Sequence, residues 1–382
     1  MKSRTLTGVL LLVALAGCSP PADVPGFLAR TLPEGFGGTV VTAHGDRITF
    51  CEGFGLADRA ARIPATCDTV YDVMSITKQF TAAAILKLEA MGRLKVSDPI
   101  GAHLGPVPGG KRGITLHHLL THTAGLPEAV GDDYEPLSRD DMLARALAAG
   151  LLSAPGAEFR YSNTGYSVLA AIVEKTSGLS YERFLAEHLF GPAGMTATGY
   201  VLPRWERDRV AVEYDAGGRA MGRPYEHPWA ADGPHWNLRG NGGMLSTARD
   251  LFRWHRALTG DAVLPAGARK KLFTAYAPVP DSDESYAYGW NILGDGPIAW
   301  HDGGNGWSLA SYARSLRDGT MAFLISNQAG REVEDLEPEL TLDLLARARP
   351  GDRDGRPSPR NPPAARERDR RPGRRRWRRW CE

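Results

Sequence analysis

Two kinds of periodicity divide this chain, and their placement constrains the fold more than any other feature. Residues 37–50 are rich in β-branched side chains with Gly45-Asp46 near the middle, which reads as a two-stranded hairpin. Strand-like runs return only near the other end, at 298–301, 308–315 and 320–326, separated by Gly-containing turns. Between them, apolar residues recur at helical spacing. Residues 80–91 stop at Gly92, and further helices are expected over 116–120, 142–152, 164–176 and 181–189. Residues 340–347 look like a closing helix. Strands at both ends share one sheet only if the chain comes back to where it started. The expected class is therefore α+β: an antiparallel sheet built from both chain ends, flanked by helices, with a large helical insertion. A parallel doubly wound sheet would need strands and helices to alternate, and they do not.

Residues 25–348 carry these signals and are long enough for one large domain. Ahead of them, residues 1–17 read as an export signal. Lys2 and Arg4 precede an apolar stretch, 9–15, too short to cross a bilayer as a mature helix. Leu15-Ala16-Gly17-Cys18 resembles the lipobox of bacterial lipoproteins, in which the Cys thiol takes a diacylglycerol and becomes the new N-terminus. The expected mature chain begins at lipidated Cys18, followed by a short linker over 18–24. It is exported and anchored by that lipid to a bacterial membrane, facing the periplasm or the exterior. In an oxidising compartment Cys51 and Cys67, which flank the Gly-containing segment 52–66, can pair across a hairpin; two unpaired buried thiols are the other reading. Residues 349–382 form an Arg- and Pro-rich tail without apolar periodicity, which is expected to be disordered. The net charge of +2 conceals that tail: from position 347 to 382 there are 14 Arg against 5 acids, so the body is net acidic. That balance argues against a nucleic-acid partner, whose binding depends on cations that displace counterions.

Three short motifs carry the chemistry. Ser75-Ile76-Thr77-Lys78 sets a hydroxyl and an amine at i and i+3 of a helix, about 5–6 Å apart between β-carbons, so the amine reaches the hydroxyl. A serine hydroxyl is a poor nucleophile until a neighbouring base takes its proton. A desolvated lysine can lose its own proton near neutral pH and become that base. Tyr161-Ser162-Asn163 opens a helix: a phenol near cations can shuttle a proton, and an Asn amide can orient a lysine or a substrate carbonyl. His301-Asp302-Gly303-Gly304 lies between a strand and a Gly-rich turn, where missing side chains let backbone approach a ligand. The Gly304 amide, paired with that of Ser75, would make an oxyanion hole, a device worth about 100–1,000-fold in rate per donor. Singly these strings say little, since S-x-x-K arises by chance about 0.4 times and Y-x-N about 0.2 times at this composition.

Taken in order, S-x-x-K, Y-x-N and [K/H]-x-G resemble the serine β-lactamase and penicillin-binding-protein superfamily, in its class C-like branch. The likeness extends through Asp72-Val73-Met74-Ser75-Ile76-Thr77-Lys78, Leu119-Leu120-Thr121-His122-Thr123-Ala124-Gly125-Leu126 and Tyr161-Ser162-Asn163-Thr164-Gly165-Tyr166. It continues in Gly191-Pro192-Ala193-Gly194-Met195, in the Gly242-Gly243-Met244-Leu245-Ser246-Thr247 segment and in Tyr288-Gly289-Trp290. The resemblance implies a β-lactamase/transpeptidase-like fold, no cofactor, and an acyl-enzyme reaction on an amide or ester: a D-amino-acid peptide, a carboxylic ester or a β-lactam. It implies Ser75 as nucleophile, Lys78 and Tyr161 sharing base and acid duty, and Asn163 holding the network and touching substrate. His301 takes the place of the third motif's cation, with Gly303 and Gly304 beside the oxyanion. A small-molecule or peptide substrate is the implied partner, and a monomer is expected. Which of Lys78 and Tyr161 takes the proton stays open, because their titrations are coupled.

One position departs from the class C pattern. Those β-lactamases usually hold Lys where His301 stands, and a permanent ammonium attracts the carboxylate of a penicillin or of a D-alanyl-D-alanine end. A histidine of ordinary pKa, about 6.5, is mostly neutral at pH 7. Members with His there look like D-alanyl carboxypeptidases, D-amino-acid peptidases and esterases, so these activities are expected ahead of efficient β-lactam hydrolysis. The competing reading is a non-catalytic cell-wall-binding lipoprotein that keeps the penicillin-binding fold; the complete set of motif side chains weighs against it. No metal site is expected. His118 and His122 have the i, i+4 spacing of zinc ligands, with His117 beside them, but the Glu of H-E-x-x-H is missing and no third ligand accompanies them. Trp229, Trp236, Trp290 and Trp307 are read mostly as core.

Overall fold

The computed structural model describes residues 23–294 and 296–349. The segment read as an export signal, Cys18 and the tail beyond 349 lie outside the described residues. β1 (Gly38–His44) and β2 (Arg47–Phe54) form the expected hairpin, and Gly45 supplies the positive φ that its tight turn requires. Six strands follow late in the chain: β3 (Ala277–Pro278), β4 (Glu284–Tyr286), β5 (Asn291–Leu293), β6 (Ile298–Gly304), β7 (Leu309–Ser315) and β8 (Thr320–Ser326). All eight make one antiparallel sheet in the order β2-β1-β8-β7-β6-β5-β4-β3. The first strand thus lies beside the last, with Gly38 opposite Ser326 and His44 opposite Thr320.

Successive side chains of a strand face opposite sides. Val40 and Leu324 face a core shared with Val24 and Leu28 of α1 (Val24–Thr31) and with Leu340 and Leu344 of a C-terminal helix. Their neighbours Val41 and Phe323 face the larger core, which includes Phe80, Trp254 and Trp290. Because both faces are covered, every residue of β7 and β8 is buried. The larger core is built on α2 (Thr77–Ala90), buried continuously from Thr77 to Leu86. Among its buried polar side chains, Thr81 Oγ1 donates to the Gly240 carbonyl at 2.5 Å and Gln79 Oε1 accepts from Trp254 Nε1 at 3.2 Å, while Gln79 Nε2 is buried without a hydrogen-bond partner.

Three helices depart from expectation. The segment expected over 142–152 forms α4 (Arg139–Ala148), with α3 at Leu116–Leu120 before it. Ser138 caps α4 by accepting from the Asp141 amide, and the chain turns extended at Ala149, leaving Leu151 and Leu152 outside. α5 (Asn163–Ser177) is followed by α6 (Tyr181–Leu185), which passes into a π-helical turn at Ala186–Phe190 rather than continuing as α-helix. After α7 (Ala248–Ala257) and α8 (Ala266–Leu272), the closing helix α9 (Arg331–Arg347) starts well before position 340, because the acidic stretch ahead of it has no apolar period to read.

Beyond β2 the chain makes a small hairpin, pairing Leu56–Asp58 with Ile63–Pro64, and Cys51 is disulfide-bonded to Cys67 across it. Constraining a loop of this length in the unfolded chain is worth about 3 kcal/mol. Cys51→Ser combined with Cys67→Ser should lower the unfolding free energy by about that amount in a denaturant titration, with native-buffer activity retained.

Candidate active site

Ser75 stands on a 3-10 turn, Met74–Ile76, immediately before α2. The turn is fastened from behind: Tyr71–Asp72 pairs with Leu245–Ser246, and the Val73 amide donates to the Met244 carbonyl at 2.8 Å. Met74 adopts φ +48°, a region that costs a non-glycine residue about 1–3 kcal/mol and that persists only where surroundings impose it. Here the Met74 amide donates to Asp72 Oδ1 at 2.6 Å. Met74 and Ile76 are buried while Ser75 between them is half-buried.

One turn on, Lys78 is fully buried. Its Nζ lies 3.0 Å from Ser75 Oγ and donates to the Asn241 carbonyl at 2.9 Å. Burial pulls its pKa from 10.5 down to about 7, against the opposing pull of Asp133, Asp302 and Glu128. Gly289 lets a second chain segment close over it: a Cβ there would sit 2.7 Å from the Lys78 carbonyl oxygen.

Tyr161 precedes α5, whose N-cap Ser162 accepts from the Gly165 amide at 3.1 Å. Its hydroxyl hydrogen-bonds Ser75, and its ring centroid lies 4.8 Å from Lys78 Nζ. Burial pushes the phenol well above its usual pKa of 10. Asn163 is close by in sequence but does not hold the lysine: its Oδ1 is buried with no hydrogen-bond partner, and Lys78 is tethered instead by the Asn241 backbone.

The third motif lies on β6. A Cβ on Gly303 would fall 2.8 Å from the Ser75 nitrogen and 3.0 Å from the Val73 oxygen, so only glycine lets the strand lie against the serine's turn. Gly304, next along, is exposed. His301 is buried, and both ring nitrogens are engaged. Nδ1 donates to the Asp302 carbonyl at 2.6 Å, and Nε2 lies 3.0 Å from the Tyr286 hydroxyl. With one nitrogen donating to a carbonyl and the other accepting from the phenol, the ring is the neutral tautomer with no N–H left for a ligand. Burial likewise holds its pKa below the ordinary histidine value.

Three contributors escaped the sequence reading. His122, declined as a zinc ligand, lies under the site: Nδ1 accepts from the Ser162 amide at 3.0 Å, and its ring centroid is 4.3 Å from that of Tyr161. Its place inside the Leu119-to-Leu126 string was the signal. Tyr286 seats His301 and stands two positions before Tyr288-Gly289-Trp290. Asn241 acts through its carbonyl, which no side-chain pattern reveals. The other two histidines have local partners, His117 Nδ1 with the Tyr288 hydroxyl at 2.8 Å and His118 with Thr115 at the start of α3. Among the described residues, no group of three or more His, Cys, Asp or Glu is placed to hold a metal.

The family model described as Beta-lactamase matches residues 28–346, and the chain belongs to that family. Penicillin-binding protein 4* of Bacillus subtilis (strain 168) is 30% identical over 321 residues, covering 78% of this chain and 70% of that protein. The putative penicillin-binding protein PbpX of the same organism is 32% identical over 294 residues, with 77% and 71% covered. Among solved structures, the octameric penicillin-binding protein homologue from Pyrococcus abyssi matches with a TM-score of 0.71 at 27% identity, over 84% of this chain and 76% of that one. A β-lactamase/D-alanine carboxypeptidase from Pseudomonas syringae shares the fold, with a TM-score of 0.71 at 19% identity over 85% and 97% of the two chains.

Proposed function

We propose that this protein is a serine hydrolase that forms an acyl-enzyme on Ser75, and that it prefers carboxylic esters or D-amino-acid amides to β-lactams. The observation that carries the reading is a fully buried amine, with its pKa brought to about 7, lying 3.0 Å from the Ser75 hydroxyl. Near neutral pH much of Lys78 is uncharged and takes the Ser75 proton as Oγ attacks the acyl carbonyl. The phenol of Tyr161, held protonated by burial, is the acid: it gives its proton to the departing oxygen or nitrogen and is reprotonated by Lys78. The negative charge on the tetrahedral carbonyl oxygen falls to the amides of Ser75 and Gly304, a pairing supported by Gly303 lying closely against the Ser75 nitrogen. Water then cleaves the ester by the same steps in reverse. The lipobox-like segment supports a working place outside the cytoplasm, on a membrane surface.

Substrate preference follows from His301. A site with no N–H free there, and with the carboxylates of Asp302, Glu128 and Asp133 around its lysine, offers little to a substrate carboxylate. Two p-nitrophenyl esters of similar size test this, the neutral butyrate and the anionic hemisuccinate. The butyrate should have the higher kcat/KM by about tenfold or more, equivalent to about 1.4 kcal/mol, and nitrocefin should be slower than either. Equal rates would sink the preference. Failure of every ester, together with no mass adduct on Ser75 from a fluorescent penicillin, would leave the non-catalytic binder.

A further inference from the structure

β6 ends at Gly304, and the turn beyond it is held by a residue far away in sequence. Glu213 is buried, its side chain only 2% exposed, and its carboxylate takes three donors. Oε1 accepts from Asn305 Nδ2 at 2.7 Å and from Ser308 Oγ at 2.9 Å, while Oε2 accepts from His227 Nε2 at 3.0 Å. Asn305 in turn closes its own loop: its Oδ1 accepts from the amides of Trp307 at 3.0 Å and Ser308 at 2.8 Å. His227 is fixed by stacking, with ring centroids 4.4 Å from Trp307 and 5.1 Å from Tyr134.

The segment carrying Glu213 is itself anchored to the sheet. The Tyr214 amide donates to the Asn327 carbonyl at 2.9 Å, and Asn327 Nδ2 donates back to the Val212 carbonyl at 2.9 Å. Asn305 also hydrogen-bonds the carboxyl of Asp72, the group that accepts from the Met74 amide beside the serine. Asn305 therefore stands between two buried carboxyl groups, one beside the serine's turn and one on the segment held at the end of β8. Burying carboxyls in this way is costly unless donors surround them, and such a network has one preferred arrangement.

We propose that Glu213 is a positioning residue: through Asn305, and seated by His227, it fixes the distance between the Gly304 and Ser75 amides that receive the oxyanion. The inference rests on the acyl-hydrolase reading above. Its consequence is specific to the tetrahedral state. Substrate binding in the ground state does not depend on that spacing, whereas stabilisation of the tetrahedral oxygen does.

Glu213→Ala should lower kcat per titrated active site about 10–100-fold, part of the value of one oxyanion donor, with KM changed less than about twofold. Affinity for an alkylboronic acid, whose adduct on Ser75 is tetrahedral, should fall by the same factor. Glu213→Gln, which keeps a carbonyl for Asn305 and Ser308, should recover most of both. A purely structural role would reduce the melting temperature and the number of active sites, and leave kcat per site and boronate affinity unchanged; that result overturns the proposal. Should Glu213→Ala fail to fold, Ser308→Ala removes one of the three donors. It should lower kcat alone by about 3–10-fold, a fraction of one donor's worth, and no change there overturns the proposal equally. A wild-type protein that neither turns over esters nor binds the boronate would instead remove the hydrolase reading beneath it.

Discussion

Ser75→Ala should form no acyl adduct and should lose about 10⁴–10⁶ in kcat/KM on the best ester, while Lys78→Met, keeping the buried volume, should lose about 10³–10⁴. The double variant should be no slower than Ser75→Ala alone, because the two side chains act as one unit and a base without its nucleophile has nothing to do. The wild-type pH profile gives an independent check. The uncharged amine is the working form, so kcat/KM should rise with pH through about 7 and then level, the acid limb belonging to Lys78. Lys78→Met should lack that limb. Stability supplies the matching sign. The folded chain holds Lys78 neutral above about 7, whereas in the unfolded chain it keeps its proton up to about 10.5. Between those values the unfolded state binds more protons, so stability rises with pH across that window. Lys78→Met should therefore be more stable than the parent at pH 7, the reverse of the usual result of altering a core position. A flat rate profile from pH 5 to 9, together with a less stable Lys78→Met, would show that the amine is not buried as described.

Gly303→Ala should lower kcat by about 10²–10³ without unfolding the protein. The added methyl would lie 2.8 Å from the Ser75 nitrogen, 2.9 Å from Met74 Cβ and 3.0 Å from the Val73 oxygen, and none of these atoms ends a flexible side chain. The strand and the serine's turn would have to part, and a shift of about 1 Å at a reacting centre costs about 100-fold. β6 still pairs with β7 from Ile298 to Gly304, which keeps the sheet intact. Gly304→Ala is the steric comparison: its methyl would meet Leu309 Cδ2 at 3.3 Å, a side chain able to give way, and the Ser308 carbonyl oxygen at an ordinary 3.9 Å, so the strand need not part from the serine's turn. Circular dichroism and active-site titration would confirm folding, and a Gly303→Ala enzyme within threefold of wild type would contradict the contact.

How much of this was legible in the residues depended on whether they were reporting one face or two. The β1–β2 hairpin and β6 to β8 were readable because turn glycines punctuate β-rich runs. The start of α2 showed in no apolar pattern, since Thr77, Lys78, Gln79 and Thr81 are all buried and no amphipathic stripe marks its first turn; only the S-x-x-K spacing placed a helix from near Ser75. The α4 boundary moved because Ser138 and Asp141 make a cap ahead of the apolar positions, a signal weaker than the leucines that follow. At the site, Ser75 and Lys78 were found through spacing that a 3-10 turn followed by a helix preserves as well as a helix alone. His301 was read as a departure from lysine, but its engagement with Tyr286 and the Asp302 carbonyl depends on strands brought together only by the sheet. Asn241 contributes a carbonyl oxygen, and backbone groups leave no trace in composition.

The pairing of β1 with β8 has a geometric corollary. α1 and α9 share one small core on one side of the sheet, whereas Gly303 and Ser75, the proposed nucleophile, meet on the other. A tether attached ahead of α1 would dock the protein by its back. The nucleophile would then look outward to whatever diffuses past, and not down toward the surface that holds it.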